Sequence, residues 1–176
     1  MIYEYKGSKP EIAASAFIAD YVTIIGDVKI GEESSIWFNT VIRSDVAPTI
    51  IGSRVNIQDN SILHQSPNCP LVIEDDVTVG HQVILHSSMI RKGALIGMGS
   101  IILDSAEIGE GAFIGAGSLV PQGKKIPPRT LAFGRPAKVI RELSDEDMND
   151  MKRIRQEYVE KGHYYKSLKK DANASF

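Results

Sequence analysis

The chain has 176 residues, 43% of them hydrophobic, and its 20 basic residues stand against 22 acidic ones for a net charge of −2. That is the length of one domain with enough apolar side chains for a core, which excludes an intrinsically disordered chain and leaves no basic field for nucleic acid or an anionic membrane. A single cysteine excludes an internal disulfide, no apolar run reaches the roughly 20 residues of a membrane span, and no signal peptide opens MIYEYKGSKPEI, so a cytoplasmic protein is expected.

The dominant pattern begins near residue 10. Branched apolar residues recur at intervals of six: Ile18, Ile24, Ile30, Ile36 and Ile42, then Ile51, Ile57 and Leu63, then Ile73, Val79 and Leu85, and finally Ile90, Ile96, Ile102, Ile108, Ile114 and Val120. Two places before most of these seventeen positions stands a small or β-branched residue, as at Ala16, Ser34, Thr40, Ser61, Ala94, Ser100, Ala106, Ala112 and Ser118. A helix would repeat at three and four instead. A period of six with two inward sites per unit suits short strands joined by tight turns. One such unit cannot bury its apolar face alone, so neighbours must stack. The expected fold is mainly β, a parallel β-helix, because a sandwich of short strands has no reason to hold so strict a spacing. The count slips three times: nine residues separate Ile42 from Ile51, ten separate Leu63 from Ile73, and five separate Leu85 from Ile90. The first slip predicts three residues looped out near Ala47-Pro48-Thr49, and the second predicts four near Ser66–Pro70.

The tail differs in kind. Ser144 is a helix N-cap followed by the acidic run Asp145-Glu146-Asp147, and Met148, Met151, Ile154, Arg155 and Tyr158 fall at helical spacings. The pattern predicts one amphipathic helix over 144–161, stopped at Gly162, with a short helical turn over 163–170 and a frayed end at 171–176. The domain division is therefore 1–143 for the repeat with its closing loop and 144–170 for a helical segment packed on it.

The hexads resemble the left-handed β-helix of the hexapeptide-repeat proteins, in which three hexads make one triangular coil. The resemblance covers about residues 10–123 and extends to Gly134-Arg135-Pro136-Ala137-Lys138; it implies between five and six coils. Counting by coils then aligns residues in columns. Leu63 lies beneath Leu85, so His64 lies beneath His86, and Ile42 beneath Leu63 puts Arg43 in the same column. Each follows an inward position and points outward. Rungs about 4.8 Å apart let two imidazoles converge on one ion at about 2.0–2.1 Å. His81, above Asp59, falls around a corner of the prism. A neighbouring chain in a threefold arrangement would present it to the His64/His86 pair, which predicts a homotrimer with metal sites between chains.

Three segments narrow the resemblance to the γ-class carbonic anhydrases: Arg43-Ser44-Asp45, the run from Asn56 through Gln58, Asp59 and Leu63 to His64, and the run from Gly80 and His81 to His86. The resemblance implies a metal ion, Zn2+ or else Fe2+ or Co2+, on His64, His81 and His86, and reversible hydration of CO2 to bicarbonate by a metal-bound hydroxide. It implies that Gln58 is a hydrogen-bond partner of the water on the ion, and that Arg43, Asp45 and Asp59 brace the ligands and the interface between subunits. It also offers Tyr158 as a tyrosine approaching the ion from the C-terminal helix, although a helix position of this kind equally suits packing on the solenoid. Cys69 is expected to be a bystander.

The chain departs from the best-studied members in two places. Val46 stands where they carry Glu after the Arg-x-Asp motif, and Gln65–Pro70 replaces their long acidic loop, with no carboxylate to shuttle protons. Two other readings stay open for that reason. One is an acyl-CoA thioesterase or acyltransferase of the hexapeptide-repeat superfamily; the other is a non-catalytic, metal-stabilised trimeric assembly or binding protein.

Overall fold

A computed structural model describes residues 1–173 and shows a parallel β-solenoid capped by one C-terminal helix. Three faces run its length. The first stacks Ile2, Ile24, Ile42, Leu63, Leu85, Ile102 and Val120. The second stacks Ile12, Ile30, Ile51, Ile73, Ile90, Ile108 and Ile126. The third stacks Ile18, Ile36, Ile57, Val79, Ile96, Ile114 and Ala132. There are thus about seven turns, more than the five to six expected. The period in fact runs on through Ile126 and Ala132, where Lys125 and Pro127-Pro128 disguise it, and the hairpin of Thr130–Gly134 with Ala137–Glu142 closes the top. At the bottom Ile2 joins the first face across an irregular hairpin at Tyr5–Ser8.

Inward markers from the second rung upward are essentially inaccessible, and so are the small residues two places before them, including Thr40, Ser61, Ser100 and Ser118. Several of those inward hydroxyls are paired with turn carbonyls, as Ser34 with Gly52, Thr40 with Gln58 and Ser61 with Gly80, which is how a polar atom sits in an aliphatic core without penalty; Ser88 Oγ is buried without such a partner.

The first slip in the count is a bulge. Thr23–Ile30 and Val41–Ile51 are long strands that run over the corner from the first face to the second. Their register breaks between Gly26 and Val28, so that Asp45, Val46, Ala47 and Pro48 swing out opposite Asp27 alone. The three extra residues are there as expected, centred slightly earlier. Gly26 has φ +81°, and any side chain on it would strike the Ser44 carbonyl, so the bulge can close only over glycine. At the second slip the chain makes a tight turn pinned by a bridge between Ser66 and Cys69.

The C-terminal helix spans Asp145–Asn173 without interruption, which corrects the expected stop at Gly162 and the separate turn after it. Ser144 and Asp147 cap its start reciprocally, Asp147 Oδ2 accepting from Ser144 N at 2.8 Å and Ser144 Oγ accepting from Asp147 N at 3.2 Å. Met148, Met151 and Ile154 pack on Leu95, Phe113, Leu131 and Leu143, and Arg155 reaches Asp76. Beyond them Gly162 is buried against Phe17 and Ser35, Tyr165 stacks edge-on to Trp37, and Lys166 donates to the Ala14 and Ala16 carbonyls. The glycine is a point of close approach, and the contacts after it carry the helix onward. Of the end expected to fray, 171–173 is helical and 174–176 lies outside the described residues. No described helix is long and apolar enough to cross a membrane.

Candidate metal centre

Two corners of the prism carry the candidate residues. At the corner between the first and second faces, Ile62–His64 and Ile84–His86 end side by side in register, His64 paired with His86. Nδ1 of His64 lies 3.1 Å from Nε2 of His86, while the ring centroids are 5.2 Å apart and tilted by 51°. Two ligands about 2.0–2.1 Å from a tetrahedral ion lie about 3.3 Å from one another, so this separation already fits a shared cation.

The far nitrogens are held by carboxylates. His64 Nε2 is 3.1 Å from Asp45 Oδ1, and His86 Nδ1 is hydrogen-bonded to Asp104 Oδ1. Arg43 pairs with Asp45 through Oδ2. Partial burial opposes ionisation of Asp45, but its hydrogen bonds to Arg43 and His64 outweigh that and hold the carboxyl below its ordinary value. Asp104 is likewise lowered, first by the Ser66 hydroxyl, against some desolvation, and then by His86.

Beneath this corner Gln65 is buried, and its carboxamide fills all its hydrogen-bonding capacity with the bulge. With its nitrogen turned to the carbonyls of Arg43 and Ala47 it donates at 3.1 Å to each, while its oxygen accepts from Ser44 and Thr49. The side chain that follows His64 thus shapes the loop that presents Arg43 and Asp45.

The second corner, between the third and first faces, carries His81 directly above Asp59, as coil counting predicts. His81 Nδ1 and Asp59 Oδ2 are 2.7 Å apart, and the His81 side chain is 44% exposed. Gln58 on the same edge is buried and donates to Asn56 Oδ1 at 3.1 Å, Asn56 in turn donating to Thr78. It is built into the scaffold and does not hang in solvent. Tyr158 approaches this edge from the helix. Its ring packs edge-on against Trp37 at 5.5 Å, and burial first, then the charge of Asp59, pushes its phenol above the usual value.

The structure therefore gathers Arg43, Asp45, His64 and His86 at one corner and Gln58, Asp59, His81 and Tyr158 at another. The two lie on opposite edges of the first face, and among the described residues no group of three or more His, Cys, Asp or Glu is placed to hold a metal within one chain. Between them the outward side chains of the first face, Thr23, Val41, Ile62, Ile84, Ile101 and Leu119, form a partly exposed ladder, Ile62 being 47% accessible. Sequence reasoning missed Asp104 and Gln65. The register that stacks Ile102 on Leu85 puts Asp104 beside His86, so the same column count contained the signal.

Comparison with known proteins agrees with the repeat fold. The family model for bacterial transferase hexapeptide repeats (six repeats) matches residues 9–44 and 87–122. The intervening stretch, 45–86, holds the first two slips in the count and most of the candidate residues. A Geobacillus kaustophilus protein named carbonic anhydrase is 80% identical over 96% of this chain and 92% of its own length. A gamma carbonic anhydrase of Arabidopsis thaliana mitochondria is 39% identical over 79% of this chain and 53% of its own. A solved Bacillus cereus structure, described as a putative acetyltransferase, superposes with a TM-score of 0.95 at 80% identity, covering 96% of this chain and 98% of that one. By its repeat, its interruptions and these relatives, the chain belongs to the hexapeptide-repeat family that includes the γ-type carbonic anhydrases.

Proposed function

We propose that this protein is a γ-type carbonic anhydrase that hydrates CO2 reversibly to bicarbonate in a homotrimer, with each metal ion held by His64 and His86 of one copy and His81 of the next. The observation that carries this reading is the matched state of the three histidines. Each has one ring nitrogen on an aspartate, at Asp45, Asp104 and Asp59, while the second nitrogens of His64 and His86 face each other at 3.1 Å, an arrangement that orients imidazoles for a metal.

Three neutral imidazoles suit Zn2+, Fe2+ or Co2+. A bound ion lowers the pKa of its water to about 7, a magnitude taken from carbonic anhydrases as a class, and so supplies a nucleophile for CO2. The chain's own part is to hold that geometry. Arg43 steadies Asp45, Gln58 would orient the attacking water from the His81 edge, and Tyr158 would relay the departing proton. Because its phenol is pushed above the usual value, Tyr158 would act as a hydroxyl and not as a phenolate.

The separation of the half-sites supports assembly. Corners on opposite edges of one face meet only when the face of one copy is laid against the corner of the next, a heterologous contact that closes as a ring. The aliphatic ladder between them is the surface such a contact would bury.

The test is stopped-flow CO2 hydration on anaerobically purified protein supplied with zinc, iron(II) or cobalt, with metal content measured on the same samples. We expect activity that tracks metal and is lost, together with stoichiometric metal, in His81→Ala and His86→Ala while circular dichroism stays unchanged. One ion per chain retained in either variant would refute the three-histidine site. Full occupancy without hydration under any metal would favour a thioester substrate, the reading suggested by the transferase descriptions of the family model and the Bacillus cereus relative, or an assembly role. A thermal shift with coenzyme A separates those two.

A further inference from the structure

We infer that Asp104 is the positioning residue for His86, and that it selects Nε2 of that ring as the nitrogen facing the ion. This rests on the three-histidine reading above and adds a residue outside the sequence motifs that carry that reading.

The two stacked histidines present different nitrogens. His64 turns Nδ1 toward its neighbour and gives Nε2 to Asp45, whereas His86 turns Nε2 inward and gives Nδ1 to Asp104. Two rings on successive rungs that offered the same nitrogen would point in parallel at the rung spacing of about 4.8 Å. Opposite choices are what bring the two nitrogens to 3.1 Å although the ring centres stay 5.2 Å apart. An ionised carboxylate only accepts hydrogen bonds, so Asp104 requires the proton on Nδ1 of His86 and leaves the Nε2 lone pair turned toward His64.

Asp104 is itself held. Its second oxygen accepts from Ser66 Oγ at 2.6 Å, across two coils of the solenoid. Ser66 belongs to the tight turn after His64, and that turn is fastened to the coil above it. Ser66 N donates to Ser87 Oγ at 2.7 Å, and Ser87 Oγ donates to the Cys69 carbonyl at 2.8 Å. The short turn that carries no carboxylate of its own thus fixes one supplied two coils above it. Residues 64, 66, 86 and 104 form one connected unit over three rungs.

Two measurements test this on the full-length protein. The first needs no metal: long-range 1H–15N NMR of the metal-free protein reports which His86 nitrogen is protonated. We expect the Nδ1–H tautomer in the wild type and its loss in Asp104→Ala; an Nε2–H tautomer in the wild type would overturn the inference whatever the protein binds.

The second is Co2+ binding against a competing chelator, with the visible spectrum recorded. Removing a second-layer partner of a metal-bound histidine costs about 10–100-fold in affinity. Asp104→Ala should fall in that range and change the cobalt spectrum. Asp104→Asn, whose carbonyl oxygen still accepts from Nδ1–H, should keep the spectrum with a smaller loss, and Ser66→Ala should lie between them. The Asn and Ser66 variants also carry the test should Asp104→Ala fail to fold.

The outcomes separate this inference from the reading beneath it. If His86→Ala abolishes cobalt binding while Asp104→Ala binds with wild-type affinity and spectrum, the metal site stands and the role of Asp104 falls. If the wild type takes up no cobalt, the three-histidine reading falls and takes this inference with it.

Discussion

At the scale of single residues, the site is made by neighbours as much as by the candidate ligands. His64, His81 and His86 were legible because a six-residue period converts sequence distance into vertical register, and the pairings of Leu63 with Leu85 and of Ile57 with Val79 bear that count out. Gln65 was not legible as anything but a turn residue. Its importance depends on a three-dimensional fact, namely that the Asp45–Pro48 bulge folds back over it. We predict that Gln65→Ala, which leaves the Arg43 and Ala47 carbonyls without their buried donor, lowers stability by about 1–3 kcal/mol in urea unfolding and loosens Arg43 and Asp45 with it. A change below about 0.5 kcal/mol would mean that water satisfies those carbonyls equally well. Asp104 shows the reverse case, in which the column count was sufficient but an Asp beside a turn carries no motif to draw attention.

At the scale of elements, the strands followed the repeat and the helix did not follow its punctuation. Met148, Met151, Ile154 and Tyr158 turn to the solenoid as their spacing demands. Gly162 reads as a stop because glycine usually ends helices, yet here it sits in the helix interior at a point of contact. The Cβ of an alanine at that position would lie 3.4 Å from Ser35 Cβ and 3.7 Å from Phe17 Cβ, ordinary packing distances. Gly162→Ala should therefore raise stability by about 0.5–1 kcal/mol, through the lower helical cost of alanine and the stiffer unfolded chain. A lower thermal midpoint would show that the helix sits closer to Phe17 and Ser35 than these distances allow. The helix runs past residue 162 because Tyr165 and Lys166 find partners on the first coils, a long-range matter that local propensity cannot anticipate.

At the scale of the whole molecule, the decisive feature is that the first face bears a proposed half-site on each edge and a largely aliphatic ladder between. A charge in the middle of that ladder should act on assembly and not on the fold. Ile62→Glu is expected to leave circular dichroism unchanged, to shift light scattering toward monomer, and to abolish metal binding although no ligand has been touched. A chelator added to the wild type should lower the thermal midpoint and shift light scattering toward monomer, as linkage requires when an ion held only by the assembled fold bridges subunits. An Ile62→Glu protein that keeps both its mass and its metal would place the ions and the interface elsewhere.

The sequence by itself determined the solenoid, its three faces, the register of its columns and the corner assignment of each histidine, because a short period constrains every rung by its neighbours and arithmetic alone carries that constraint. Only the tertiary structure decided the length of the helix, the number of turns at each end, the bulge closed over Gly26 and braced by Gln65, and the pairing of His64 with Asp45 out of that bulge. Those depend on contacts between segments whose spacing follows no period, where side-chain direction and hydrogen-bond capacity, not sequence distance, select the partner.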